Sequence, residues 1–146
     1  MLGVDIDVDK VDNIGKKVKK AQKQRIKDAG DKGFAFSQEV VPEDRGTLRQ
    51  SGFTPEWEDA ETLRWGYTAR QARPMEFGTE PFYPPLQPLL EWSERVTGDK
   101  GLGFYVAQHK IPTEGVDSQP YVRPGREVMR RYLKNNKFGD YLNDEL

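Results

Sequence analysis

The chain has 146 residues, a length that suits one domain, with 35% hydrophobic and 32% charged side chains and a mean hydropathy of -0.86. Cysteine is absent, which excludes disulfides, thiolate nucleophiles and cysteine-ligated metals. A net charge of -1 gives the molecule as a whole no electrostatic reason to seek nucleic acid, and an aromatic share of 11% argues against wholesale disorder.

No apolar run approaches the ~20 residues of a membrane span, so no membrane partner is expected. The segment from Met1 to Lys10 alternates valine and isoleucine with aspartate, and it is read as carrying no secretory signal. Lys16, Lys17, Lys19, Lys20, Lys23, Arg25 and Lys27 then crowd one stretch. Through it Val11, Ile14, Val18, Ala21 and Arg25 recur at steps of three and four, the helical period. The spacing predicts a helix from Val8 to Ala29, ended by Gly30 and Gly33, with a narrow apolar stripe and a basic outer face. Two readings of that face stay open. Lys16, Lys20, Lys23 and Lys27 could face DNA in a channel, or they are ordinary solvated lysines, as such faces usually are.

Asp44 is expected to cap a short helix through Leu48, with Pro42 stiffening the approach. Phe53 with Trp57, and Leu63 with Trp65 and Tyr67, predict two strands around the acidic turn Glu58-Asp59-Ala60-Glu61. Pro74, Gly78, Pro81, Pro84, Pro85 and Pro88 fix turns in the next segment. A helix near Pro85 carries Leu86, Leu89, Leu90, Ser93 and Val96, and Gly98 closes it. Asp99 reads as the cap of a second short helix with Leu102, Tyr105 and Val106, stopped by Pro112. Residues 113–123 read as an extended arm, and Pro124 opens a last helix with Val128, Met129, Tyr132 and Leu133. A tail at 137–146 follows, with Phe138, Tyr141 and Leu142. One long helix, then strands, then short helices predict a single α+β domain over residues 1–146.

The search for chemistry is nearly empty. His109 shares the helical spacing of Leu102, Tyr105 and Val106 and reads as a partly buried packing residue. With no cysteine and no second histidine, a triad or zinc site would depend on carboxylates alone. The cluster Glu56, Glu58, Asp59 and Glu61 belongs to a solvated turn, and Asp140, Asp144 and Glu145 belong to a tail unsuited to catalytic geometry. Gly98 to Gly103 lacks the ending of a phosphate loop. No catalytic, cofactor-binding or metal-binding residue is assigned, and no enzyme is expected.

Four segments carry a resemblance. Pro42-Glu43-Asp44-Arg45-Gly46-Thr47-Leu48-Arg49-Gln50-Ser51 is similar to the proline, aspartate, glycine, leucine and serine pattern of the tail-completion, or neck, proteins of long-tailed bacterial and archaeal viruses. The likeness continues at Ala72-Arg73-Pro74-Met75-Glu76-Phe77-Gly78-Thr79, at Pro81-Phe82-Tyr83-Pro84-Pro85-Leu86, and at Gln119-Pro120-Tyr121-Val122-Arg123-Pro124. Together they span roughly Glu39 to Val128. The chain departs from the pattern at Arg45, where threonine is common, and at Ala72-Arg73-Pro74, where a tyrosine-alanine pair is usual.

The resemblance implies a long N-terminal helix packed on a small antiparallel sheet, with a helical insertion and a C-terminal helix. It implies a structural virion protein, a homo-oligomeric ring of six subunits in the neck, assembled in the host cytoplasm. Head-closure or connector proteins would lie on one side, and tail tube or tail terminator on the other, with DNA passing through the channel. Glu76, Phe77 and Gly78 would form a sheet-to-helix junction. Phe82, Tyr83, Tyr121, Val122, Arg123 and Tyr141 become candidates for contacts between subunits or rings, with packing inside the protomer as the alternative. On the contact reading, Tyr121→Asp leaves the protomer folded. Rival functions are a tail-terminator or head-closure ring and, from another class, a small DNA-binding module using the lysine-rich helix.

Overall fold

The computed structural model describes residues 3–145. A long helix, α1 (Val8–Val40), packs on a two-stranded antiparallel sheet, β1 (Gly52–Trp57) and β2 (Leu63–Tyr67). A short α2 (Thr47–Gln50) precedes the sheet and α3 (Ala72–Phe77) follows it. The helical insertion is α4 (Leu86–Thr97), α5 (Gly101–Tyr105), a π-helical turn at Val106–Lys110, and α6 (Ile111–Glu114). Two C-terminal helices, α7 (Val122–Asn135) and α8 (Phe138–Glu145), return to α1. No helix of the described residues is long and apolar enough to cross a membrane.

α1 starts at Val8, as the spacing predicts, because the Asp7 carboxylate accepts the Lys10 N–H at 3.2 Å. It does not stop at Gly30 and Gly33. Both glycines are buried inside a helix of 33 residues, roughly 50 Å long. They are close-approach positions. A Cβ on Gly30 would lie 2.8 Å from Leu63, and one on Gly33 would lie 2.7 Å from the Gly125 carbonyl on α7. In return, a Cβ on Gly125 would lie 2.6 Å from the Gly33 carbonyl. Here backbone meets backbone, and the packing gained outweighs the helix propensity lost.

The strands fall where the alternation predicts. Glu56 pairs with Arg64 and Trp57 with Leu63, and the register shifts between Phe53 and Glu56. Buried Pro55 lies in that irregularity, which spares a residue without an N–H from a ladder position. Trp65 of β2 meets Phe34 edge-on at 5.9 Å, and Tyr67 meets Tyr121 edge-on at 4.9 Å. Ser37, fully buried on α1, shares a 2.9 Å hydrogen bond with the Tyr67 hydroxyl.

Several boundaries differ from expectation for identifiable reasons. Asp44 caps nothing; its carboxylate accepts from Arg95 of α4 at 2.6 Å, and α2 starts after Gly46 in the left-handed region. Pro112 does not stop the insertion. It occupies the first turn of α6, where its missing N–H costs nothing, and the helical run ends at Gly115. The arm therefore shortens to residues 115–121, and α7 begins at Val122 with Pro124 in its first turn. Arg25 is no member of an apolar stripe. Its guanidinium donates to the Leu133 carbonyl at 2.6 Å and the Asn136 carbonyl at 2.8 Å, neutralising the negative end of α7. Of the tail expected at 137–146, Leu146 lies outside the described residues and Phe138–Glu145 is helix: α8 docks on α1 through Tyr141 to Asp28 at 2.6 Å and Lys20 to Glu145 at 2.9 Å.

Alanine outscores glycine in a helix by about 1 kcal/mol, yet overpacking costs about 1–3 kcal/mol. Gly33→Ala is therefore expected to destabilise the fold by about 1 kcal/mol net in a urea titration. An unchanged or higher midpoint would mean that α1 and α7 can separate without loss.

Candidate functional site

The most constrained spot in the molecule surrounds Glu76, at the end of α3. The residue is 3% exposed, and its carboxylate accepts the N–H groups of Tyr121, Val122 and Arg123 at 2.7, 2.8 and 2.9 Å. These are the orphan donors at the start of α7, and a carboxylate there also meets the positive end of the helix. Arg123 adds its Nε to Glu76 at 2.9 Å and a further donation to the Glu76 carbonyl at 2.7 Å. The Ser118 hydroxyl donates to the same carbonyl, and the Tyr121 hydroxyl donates to the Ala72 carbonyl at 2.8 Å. Gly78 follows with φ 73°, and a Cβ there would strike the Val116 carbonyl. Glu76 to Gly78 thus ends α3 and ties it to the arm.

Desolvation pushes the Glu76 carboxyl up, but the hydrogen bonds from Tyr121, Val122 and Arg123 outweigh it and hold it below its ordinary 4.5. Desolvation and the neighbouring Glu76 charge push the Tyr121 hydroxyl up to about 12. The same burial acts on both groups, and at Glu76 the hydrogen bonds reverse its effect.

The contact candidates separate into three groups. Tyr121 is 1% exposed and belongs to the protomer's own core with Val41 and Leu48. That corrects its assignment to an interface, and a carboxylate placed there by Tyr121→Asp would fall in the core, so a folded protomer is not expected. Val122 and Tyr141 are half-buried. Tyr141 bonds Asp28 and the Tyr132 hydroxyl, and desolvation followed by those bonds raises its hydroxyl. Arg123 is committed to Glu76, although half its side chain stays exposed and covers the Phe77 ring at 5.0 Å. Phe82 and Tyr83 are exposed, 42% and 78%, as a contact would require.

The basic candidates are unevenly available. Lys16 and Lys20 are exposed, whereas Lys23 and Lys27 are half-buried. Lys20 pairs with Glu145, Lys27 with Asp31 at 2.6 Å, and Lys23 lies over Trp57 at 4.5 Å. Lys16, Lys19, Lys20, Lys23 and Lys27 nonetheless line one open depression with Trp57. His109 is exposed rather than partly buried, beside the Tyr105 ring at 5.6 Å, because Gly103, Ala107 and Ile111 are the inward residues of that run. Asp59 of the acidic turn accepts the Glu61 and Thr62 N–H groups at 2.8 and 2.7 Å, which hold its carboxyl below 3.8.

A cavity of about 570 Å³ lies between α2, α3 and α4. Leu48, Met75, Leu89 and Trp92 line it, and Asp44–Arg95 and Arg45–Glu91 pairs span its rim. Among the described residues no group of three or more histidine or carboxylate side chains is gathered as metal ligands would be. Sequence reasoning missed the capping role of Glu76 and the helix-end role of Arg25. A lone acid between Met75 and Phe77, and a lone arginine on an apolar stripe, were the signals available.

Because folding lowers the Glu76 pKa, its stabilisation is present above about 4.5 and is lost as pH falls through the folded value. Glu76→Gln is expected to cost about 3 kcal/mol at neutral pH and to flatten the acid limb of a stability-against-pH curve. Equal acid limbs in variant and native chain would show that Glu76 is not the titrating latch.

Comparison with protein-family models, with curated proteins and with solved structures found no match.

Proposed function

We propose that this chain is a structural subunit of a ring in the neck of a long-tailed virus, joining a DNA-filled head to its tail. The supporting observation is how the family-like segments relate in space. Pro42–Ser51, Ala72–Thr79 and Gln119–Pro124 are far apart in sequence, yet the second and third bind each other through Glu76. The first meets Met75 and Gln119 around the same cavity. Three of the four segments that resemble one family thus lie together, which supports the reading.

A structural role also fits the surface. Large apolar side chains are exposed at both the start of α1 and the insertion, and such patches mark partner surfaces. The polar network serves packing: every hydrogen bond to the Glu76 carboxylate comes from backbone or from Arg123. In this reading the homo-oligomer is a ring of six, with head-closure proteins above and tail components below, and the chain performs no catalysis.

The test is location and mass. Particles carrying a gold label on this chain are expected to show it between head and tail, and the assembled ring to weigh about six copies of 16.8 kDa. Label on the capsid shell or fibres, or none on the particle, rejects the reading.

A second reading rests on the depression lined by Lys16, Lys19, Lys20, Lys23, Lys27 and Trp57, which suits a nucleic-acid backbone. If these lysines meet DNA phosphates, the slope of log affinity against log salt steepens by about 0.9 per contact. Lys16→Glu with Lys20→Glu is then expected to reduce the slope by about 2. Binding to duplex DNA that is absent, or unchanged in the variant, removes this reading.

A further inference from the structure

We propose that the outward face of α7 is a docking surface for the phosphate backbone of duplex DNA. The inference rests neither on the neck reading nor on the lysine-lined depression of α1. Gly125 of α7 is buried against Gly33, and the Met129 sulfur accepts from the Trp65 Nε1, so one side of the helix faces the protein's own body. Val122, Tyr132 and Leu133 lie on that side, half-buried. At 3.6 residues per turn, Arg123, Arg126, Glu127, Arg130, Arg131 and Lys134 fall together in an opposite arc of about 140°. All six are exposed, and no uncharged side chain stands among them. The chain as a whole carries -1, whereas this arc carries five positive groups and one negative. Arg123 is held by Glu76, and Arg130 by Glu127 at 2.8 Å. Arg126, Arg131 and Lys134 make no ion pair with any described residue. Arg126, Arg130 and Lys134 stand four residues apart in turn, a spacing at which like charges destabilise a helix. A polyanion laid along the row would relieve that repulsion.

The chemistry of the face selects the partner. A protein interface has a core of apolar and aromatic side chains from which charge is depleted, and this arc has no such core. Single-stranded nucleic acid is held on aromatic platforms, and the arc carries no aromatic ring. A duplex backbone asks only for cationic groups in a row. From Arg126 to Lys134 the row covers about 12 Å of helix, against one duplex phosphate per ~1.7 Å of axis. Phosphates are thus dense enough for each free cation to meet one.

The experiment is fluorescence anisotropy of a short random-sequence duplex with the full chain across a salt series. The native chain is expected to bind it at low salt with a roughly micromolar Kd. The variant combines Arg126→Gln, Arg131→Gln and Lys134→Gln; glutamine keeps the helix propensity, and circular dichroism first establishes that the variant folds. Loss of three phosphate contacts is expected to lower the slope of log affinity against log salt by about 2.7, and low-salt affinity about tenfold or more. Should the combined variant not fold, the three single variants carry the test, each lowering the slope by about 0.9. No binding by the native chain, or equal slopes for native chain and variant, overturns the proposal. Polyglutamate bound as tightly as the duplex would mark the face as one for an acidic protein, which also overturns it. A loss confined to Lys16→Glu with Lys20→Glu would assign binding to α1 and remove it from α7. Gold label at the neck without duplex binding rejects this inference alone, whereas α7-dependent binding without neck label rejects the virion reading alone.

Discussion

The Glu76 carboxylate holds together parts of the chain that are 45 residues apart. At the start of α7 the Tyr121, Val122 and Arg123 N–H groups have no partners within the helix, and burying them unpaired would cost more than any single packing contact there returns. One carboxylate takes all three, and Arg123 balances its charge. The start of α7 is thereby set against α3, and Tyr121 is pressed into the core beside Tyr67, Val41 and Leu48. α7 can then lie on α1 closely enough that Gly33 and Gly125 touch.

The same logic operates at the other end of α7. Arg25 reaches the Leu133 and Asn136 carbonyls, so a positive group answers the negative helix end as Glu76 answers the positive one. α1 supplies the second group and α3 the first. The body of the protein is therefore α1, the hairpin and α7, locked at both ends of one helix by charge. The insertion depends much less on this frame. It is joined by the Asp44–Arg95 and Arg45–Glu91 pairs and by Thr79 with Val116, and a large cavity separates α4 from α2.

This division suits an assembly subunit. A rigid body carries the buried polar network, while the apolar side chains left in solvent concentrate on the first half of α1 and in the insertion. Exposed surface of that kind is costly for an isolated molecule and useful for one that meets its neighbours.

What was legible in the chain follows from short-range physics. The start of α1 at Val8, the two strands, and α4 between Pro85 and Gly98 were readable because capping, alternation and proline or glycine punctuation act within a few residues. The extension of α1 to Val40 was not, because Gly30 and Gly33 break helices unless distant groups pack closely against them, and those groups are the Leu63 and Pro55 side chains and the Gly125 backbone. Asp44 had the pattern of a cap and became the partner of Arg95, 51 residues away. Tyr121 had the look of a contact residue in a proline-rich arm and became core, since only the folded chain reveals that Glu76 draws that arm inward. Local preference determined which elements could exist; long-range burial and hydrogen-bond satisfaction decided where they ended and which side chains faced out.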